Sequence, residues 1–150
     1  MTNQQVLTEV RRRAGLSQQQ LAEASGVAQP NIAAYERGTR RLSTAMLGRL
    51  RAAARPRPSV VLDKHRSQVR RTASQHKALD VRVFGSVARG DDRPGSDLDL
   101  LVRFRPDASL FDQVGLAQDL EELLGVPVDV VSEGGLRPGH DEIRAQARPL

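Results

Sequence analysis

The sequence predicts two small domains in series: an all-α domain over residues 1–57, then an α/β (α+β) domain over residues 58–150 with a small mixed sheet flanked by helices. Three observations carry this prediction. Up to residue 53 the chain reads as short helices, with apolar residues recurring at helical spacing. The segment Ala53–Ser59, AARPRPS, then places two prolines close together. Proline lacks a backbone donor and biases its predecessor away from helix, so the preceding helix must stop there. Beyond that break, helix and strand patterns alternate with short connections, the pattern of a sheet with helices packed on it.

The elements follow in order. Val6, Leu7 and Val10 share one face of a first helix. Ser17 is a natural N-cap for a helix over Gln18–Ala24, which Gly26 ends. A third helix spans about Gln29–Arg37 and stops at Gly38, and a fourth runs about Ser43–Ala53. In the second domain a helix is expected over roughly Val60–Ala78, then a strand Val81–Phe84 and a turn at Gly85-Ser86. A strand Asp97–Phe104 and a helix Leu110–Leu124 follow, with Gly125 as cap. Val126–Val131 forms a third strand, and Asp141–Ala147 a last short helix.

Composition narrows the classes. Only 3% of residues are aromatic, so the cores must be built from Leu, Val, Ile and Ala. The absence of cysteine excludes a disulfide framework and a cysteine metal site. The opening MTNQQVLTEVRRR lacks the apolar run of a signal peptide, and no stretch approaches membrane-spanning length. A cytoplasmic protein with no membrane partner is expected. Residues 1–58 carry ten Arg against three Glu, a net +7, while residues 59–150 carry 13 Lys and Arg against 15 acids, a net −2. A basic module preceding a mildly acidic one points to a nucleic-acid partner for the first.

Two short helices joined by a glycine-containing turn allow the second to lie in the major groove of DNA. The amides of Gln29 and Asn31, near the start of that helix, can pair with adenine. Gln18 could hold a phosphate or support Gln29, and Arg40 and Arg41 suit backbone phosphates. For any one of these residues alone, a solvated helix face would account for it as well. The run Arg11-Arg12-Arg13 fits either phosphate binding or plain solvation. The stretch GLSQQQLAEASGVAQPNIAAYERGTRRLS resembles the helix-turn-helix of the lambdoid-repressor (Xre-type) family over about Val6–Ala53. In that resemblance Leu16, Leu21, Ala22, Val27, Ile32 and Tyr35 occupy core positions, and Glu36-Arg37-Gly38 matches the helix end.

A second motif, FGSVARGDDRPGSDLDLLV, spans residues 84–102. On a strand, residues two apart share a side, so Asp97 and Asp99 face one way and Leu98 and Leu100 the other. Like charges so close repel unless a cation lies between them. Gly85 lets a phosphate approach the backbone, Ser86 adds a hydroxyl, and a following helix would add its N-terminal amides. Asp129 sits in the apolar strand VPVDVV and can point opposite to Val128 and Val130, toward the other two acids. Three carboxylates beside a phosphate cradle form a plausible two-Mg²⁺ site for displacement at phosphorus. His65, His76 and His140 show no metal-ligand spacing and are expected to be solvated.

This GS…DxD…D arrangement resembles the polymerase-beta-like nucleotidyltransferases, and GSVARG…SDLDLLV is similar to the minimal nucleotidyltransferase (MNT) family from about residue 60 onward. The resemblance implies that Gly85 and Ser86 hold the terminal phosphates of a nucleoside triphosphate, ATP for an AMP transferase. It implies that Asp97 and Asp99 bind both Mg²⁺ ions, and that Asp129 completes the site nearest the attacking hydroxyl. Arg89 either braces a phosphate or forms a surface ion pair with Asp91 or Asp92.

MNT proteins of this kind resemble antitoxins that silence a HEPN-type ribonuclease toxin by transferring AMP to a tyrosine. The expectation is therefore an autoregulating antitoxin, working as a homodimer on operator DNA or as a hetero-oligomer with its toxin. The competing reading is a DNA-binding regulator that sequesters its partner without chemistry, its nucleotide site regulatory or vestigial. A small-molecule nucleotidyltransferase ranks last, because no acceptor-binding segment is visible.

Overall fold

Four helices make up the first part of the chain in the computed structural model, which describes residues 1–150: α1 (Asn3–Arg13), α2 (Gln18–Ser25), α3 (Gln29–Arg37) and α4 (Thr44–Ala53). Polar caps start them. Thr2 and Ser17 each close a reciprocal capping box, with Gln5 and Gln20, and the Ser43 hydroxyl accepts the Met46 N–H at 3.1 Å. Gly26 ends α2 and Gly38 ends α3, both left-handed. At Gly38 a Cβ would also collide with the Gln4 side chain. Leu7, Leu21, Ile32 and Leu50 are fully enclosed and, with Val27, Tyr35, Leu42 and Leu47, make the core of the unit Met1–Pro56. Each such burial contributes about 1.5–3 kcal/mol.

The second unit, Arg57–Leu150, opens with two helices where the sequence predicts one: α5 (Pro58–Lys64) and α6 (Arg66–Gln75). The break falls at His65, whose Nδ1 lies 2.9 Å from the Val61 carbonyl oxygen. The ring thereby takes the acceptor its own N–H would use in a continuous helix, and that N–H turns to Leu62 instead at 3.0 Å. The helix also ends early, because β1 (Ala78–Phe84) starts before the predicted Val81.

Four more α and β elements build the sheet and its cover. They are α7 (Gly85–Arg89), β2 (Leu98–Phe104), α8 (Leu110–Leu124) and β3 (Val128–Ser132). Gly85-Ser86, expected as a turn, forms the first residues of α7. After β3 come a 3₁₀ turn (Glu133–Gly135), α9 (Asp141–Gln146) and a short edge strand, β4 (Arg148–Pro149), which the sequence does not announce. Strand order is β3-β2-β1-β4. β1 runs antiparallel to both β2 and β4, whereas β3 is parallel to β2. That parallel pair requires a crossover, which α8 supplies.

One sheet face carries the core. Val83, Leu98, Leu100 and Val102 pack with Val69 and Ala73 of α6 and with Leu116, Leu120 and Leu124 of α8. Leu101, on the opposite face, is also fully buried, and the 3₁₀ turn lies against β2 on that strand. The second face is therefore covered beyond the acids rather than open throughout. No helix is long and apolar enough to cross a membrane.

Candidate active site and DNA-binding surface

The register of three neighbouring strands assembles the acids. Phe84, the last residue of β1, is opposite Asp99 on β2, and Asp99 is opposite Asp129 on β3. Asp97 immediately precedes β2 and is exposed. Gly85 follows Phe84 directly, so the end of β1 delivers Gly85-Ser86 beside the acid pair. Gly85 adopts φ +69°, and a Cβ there would collide with the Asp99 carboxylate at Oδ2. Glycine is required on both counts. No side chain caps the N-terminus of α7, which leaves its first-turn amides without a capping partner.

Electrostatics mark Asp99 as the strained member. Burial, then the Asp129 and Asp97 charges, then a hydrogen bond to Asp129 push its pKa up to about 6, against the opposing charge of Arg89. Arg89 also makes a long, exposed ion pair with Asp91 at 3.4 Å, the surface pair that was one of the two sequence readings of it. No three His, Asp or Glu side chains converge into a ready-made metal cage. The donor set still fits Mg²⁺: hard carboxylate oxygens, and a mutual repulsion that a divalent cation would relieve.

In the first unit, the Gln29 side-chain amide donates to Gln18 Oε1 at 2.9 Å, and Gln18 Nε2 donates to Glu36 Oε2 at 3.2 Å. Glu36 is in turn gripped by Arg11, whose Nη2 lies 2.8 Å from Oε1, and by the Thr8 hydroxyl at 3.1 Å. Gln18 thus supports Gln29, one of the two roles open to it. Burial would raise the Glu36 pKa, but the hydrogen bonds and charge of Arg11, aided by Thr8 and Gln18, hold it below its ordinary value. Arg11 is therefore neither a solvated residue nor a free phosphate binder. Its role and that of Glu36 went unseen because their contact spans α1 and α3.

Arg40 donates to Asn31 Oδ1 at 2.7 Å and sits 5.6 Å from the centroid of the buried Tyr35 ring. Arg41 is exposed and makes no ion pair. Of the histidines, two depart from the expected solvation: the half-buried His65 ring is held at the Val61 carbonyl oxygen, and His76 Nε2 lies 2.6 Å from Asp119 with its ring close to Gly115 of α8.

A mixed sheet with a carboxylate row at one end, beside a glycine-serine turn into a short helix, defines a nucleotide-transferring enzyme. The nucleotidyltransferase domain family matches residues 62–150, and the chain belongs to that family. A helix-turn-helix family matches residues 7–53. Relatives place the chain among the protein adenylyltransferases. Protein adenylyltransferase MntA of Thermococcus cleftensis is 35% identical over 79 residues, 53% of this chain and 77% of that protein. A solved structure described as a candidate minimal nucleotidyltransferase is 47% identical, with a TM-score of 0.57 over 61% of this chain and 95% of the other. A solved toxin–antitoxin structure with AMP-PNP shares the fold at 21% identity and a TM-score of 0.50, covering 55% of this chain and 69% of the other.

Proposed function

We propose that this protein adenylyltransferase is an autoregulating antitoxin: it transfers AMP from ATP to a tyrosine hydroxyl of a HEPN-type toxin and binds the operator of its own promoter. The observation that carries the reading is the acid row centred on Asp99, which feels the charges of Asp129 and Asp97 and lies against Gly85, in a chain that also holds a braced Gln18–Gln29 pair. Gly85 admits the terminal phosphates to the backbone, Ser86 offers its hydroxyl, and the uncapped amides of α7 donate to phosphate oxygens. Asp97 and Asp99 would hold two Mg²⁺ ions, and Asp129 would complete the site nearest the attacking hydroxyl and help to take up its proton. Bound Mg²⁺ supplies polarisation of the alpha-phosphate and neutralises the leaving pyrophosphate. Arg89 offsets the negative charge of the acid row.

The kinship with MntA supports a protein acceptor, and the toxin–antitoxin structure with AMP-PNP suggests both the class of partner and the adenine triphosphate. Gln29 and Asn31 read adenines, Gln18 orients Gln29, and Arg40 and Arg41 hold phosphates. A homodimer on DNA would present two such helices to paired half-sites.

One observation favours the sequestering reading: the three carboxylates do not close into a cage by themselves. Co-expression with the toxin separates the two. The Asp97→Ala/Asp99→Ala protein is expected to bind the toxin yet fail to neutralise or modify it. Full neutralisation by that double mutant would favour sequestration and sink the catalytic reading.

A further inference from the structure

Asp92 is the charged residue that the fold encloses most completely, 4% exposed with its side chain fully buried. It lies in the loop between α7 and β2, shortly before Asp97. Its Oδ2 accepts the Ser59 N–H at 2.8 Å, and its backbone carbonyl oxygen accepts from Arg57 Nε at 3.0 Å. The same Nε lies 3.4 Å from Oδ1, which has no hydrogen-bond partner. No side chain of its own sequence neighbourhood caps α5, so a carboxylate from a distant loop takes an amide of its first turn.

Burying a carboxylate is costly even with a partner, and an apolar side chain would fill the same space at less cost. What the carboxylate adds is a fixed position for the loop. At its far end the loop is pinned by the Leu98 N–H, which donates to the Pro127 carbonyl at 2.8 Å. Between the ends, Arg93 and Ser96 close a turn on themselves, with the Arg93 N–H on Ser96 Oγ and the Ser96 N–H on the Arg93 carbonyl, both at 2.9 Å. Next to Asp92, the Asp91 N–H donates to the Ser86 carbonyl at 3.0 Å, tying the loop to the phosphate cradle. Asp97, at the end of that turn, is exposed and makes no ion pair or side-chain hydrogen bond. Its aim is set by where the loop is held.

We infer that Asp92, latched to Arg57 and Ser59, is a positioning residue for nucleotide transfer, holding the loop so that Asp97 faces Asp99. The inference rests on the reading of Asp97 as a metal-binding acid. Stability alone would give Asp92 no influence on the acids once the chain is folded. Positioning makes metal affinity and turnover depend on it.

The test uses the full chain with Asp92→Ala, Asp92→Asn and, as control, Asp97→Ala. Transfer is measured as kcat and KM for ATP, Mn²⁺ binding is measured without nucleotide, and a thermal melt reports the folded fraction. Asp92→Ala is expected to lower kcat and weaken Mn²⁺ binding by about 10- to 100-fold each, as loss of an outer-shell support does. KM for ATP should change little. Asp92→Asn keeps an acceptor for Ser59 and is expected to recover most of both losses. Should Asp92→Ala fail to fold, Arg57→Ala, which removes the other half of the latch, carries the test with the same direction of loss in kcat and Mn²⁺ affinity. Wild-type kcat and Mn²⁺ affinity in the folded Asp92→Ala protein, or failing that in folded Arg57→Ala, would overturn the inference. An inactive Asp97→Ala beside an unaffected Asp92→Ala leaves the active-site reading standing and removes only the latch. A fully active Asp97→Ala removes both.

Discussion

Asp99 is held near pKa 6 against an ordinary value of 3.8, by burial first and by Asp129 and Asp97 second. A carboxyl whose folded-state pKa is raised binds its proton more tightly when folded. Its contribution to stability is therefore fullest below about pH 4 and is lost as pH rises through about 6. Metal-free protein should melt at a lower temperature at pH 7 than at pH 5 on this account, and Asp99→Asn should flatten that difference. At pH 7 the substitution is expected to stabilise the metal-free protein by about 1 kcal/mol, discounted for the solvent-exposed part of the group, while abolishing transfer. A melt of Asp99→Asn below that of wild type at pH 7 would contradict this. Gly85→Ala should fold poorly around the site and lose transfer by roughly 100-fold or more, since the added Cβ meets the Asp99 carboxylate at a positive φ. At this scale the spacing names the acids but not what aims each one: strand register sets Asp99 opposite Asp129, whereas Asp97, expected on the strand, lies just before β2 and depends on the loop. Asp92 was legible only as a possible surface partner of Arg89, because its true partners, Arg57 and Ser59, lie far off in the chain.

At the scale of elements, patterns that are local in origin were readable. Ser17, Gly26, Gly38 and Gly125 mark helix ends through capping and left-handed geometry, which depend on near neighbours. The break between α5 and α6 was not, since it depends on how the His65 ring competes for one carbonyl. β4 was missed for a different reason. A strand of two residues ending in proline has no pattern of its own and exists only by pairing with Arg82 and Val83. The brace from α1 to α3 couples Arg11 to the proposed DNA-facing amides through Glu36 and Gln18. Arg11→Ala leaves the largely enclosed Glu36 side chain without its main partner, at a cost of about 1–3 kcal/mol. With Glu36 released, Gln18 and Gln29 lose their anchor, so operator affinity should fall more than an exposed Arg12→Ala reduces it. Gel-shift titrations of the two variants at one salt concentration decide this.

The whole molecule joins two units whose cores share no residue. Their charges differ in the same way, a net +7 over residues 1–58 and −2 over the remainder. Operator binding should therefore weaken steeply with salt, as counterion release requires, whereas transfer should respond weakly. A truncated protein beginning at Arg57 is expected to retain transfer and lose operator binding, which gel shift and transfer assays on that fragment check. The chemistry of the acid row decides the account. The most direct measurement incubates the full chain, Mg²⁺ and alpha-labelled ATP with the product of the adjacent gene, alongside the Asp97→Ala/Asp99→Ala protein and an EDTA control. The account predicts label on a tyrosine of the partner with wild-type protein and Mg²⁺, and none in either control. A stable complex that acquires no label from any of the four triphosphates would contradict it.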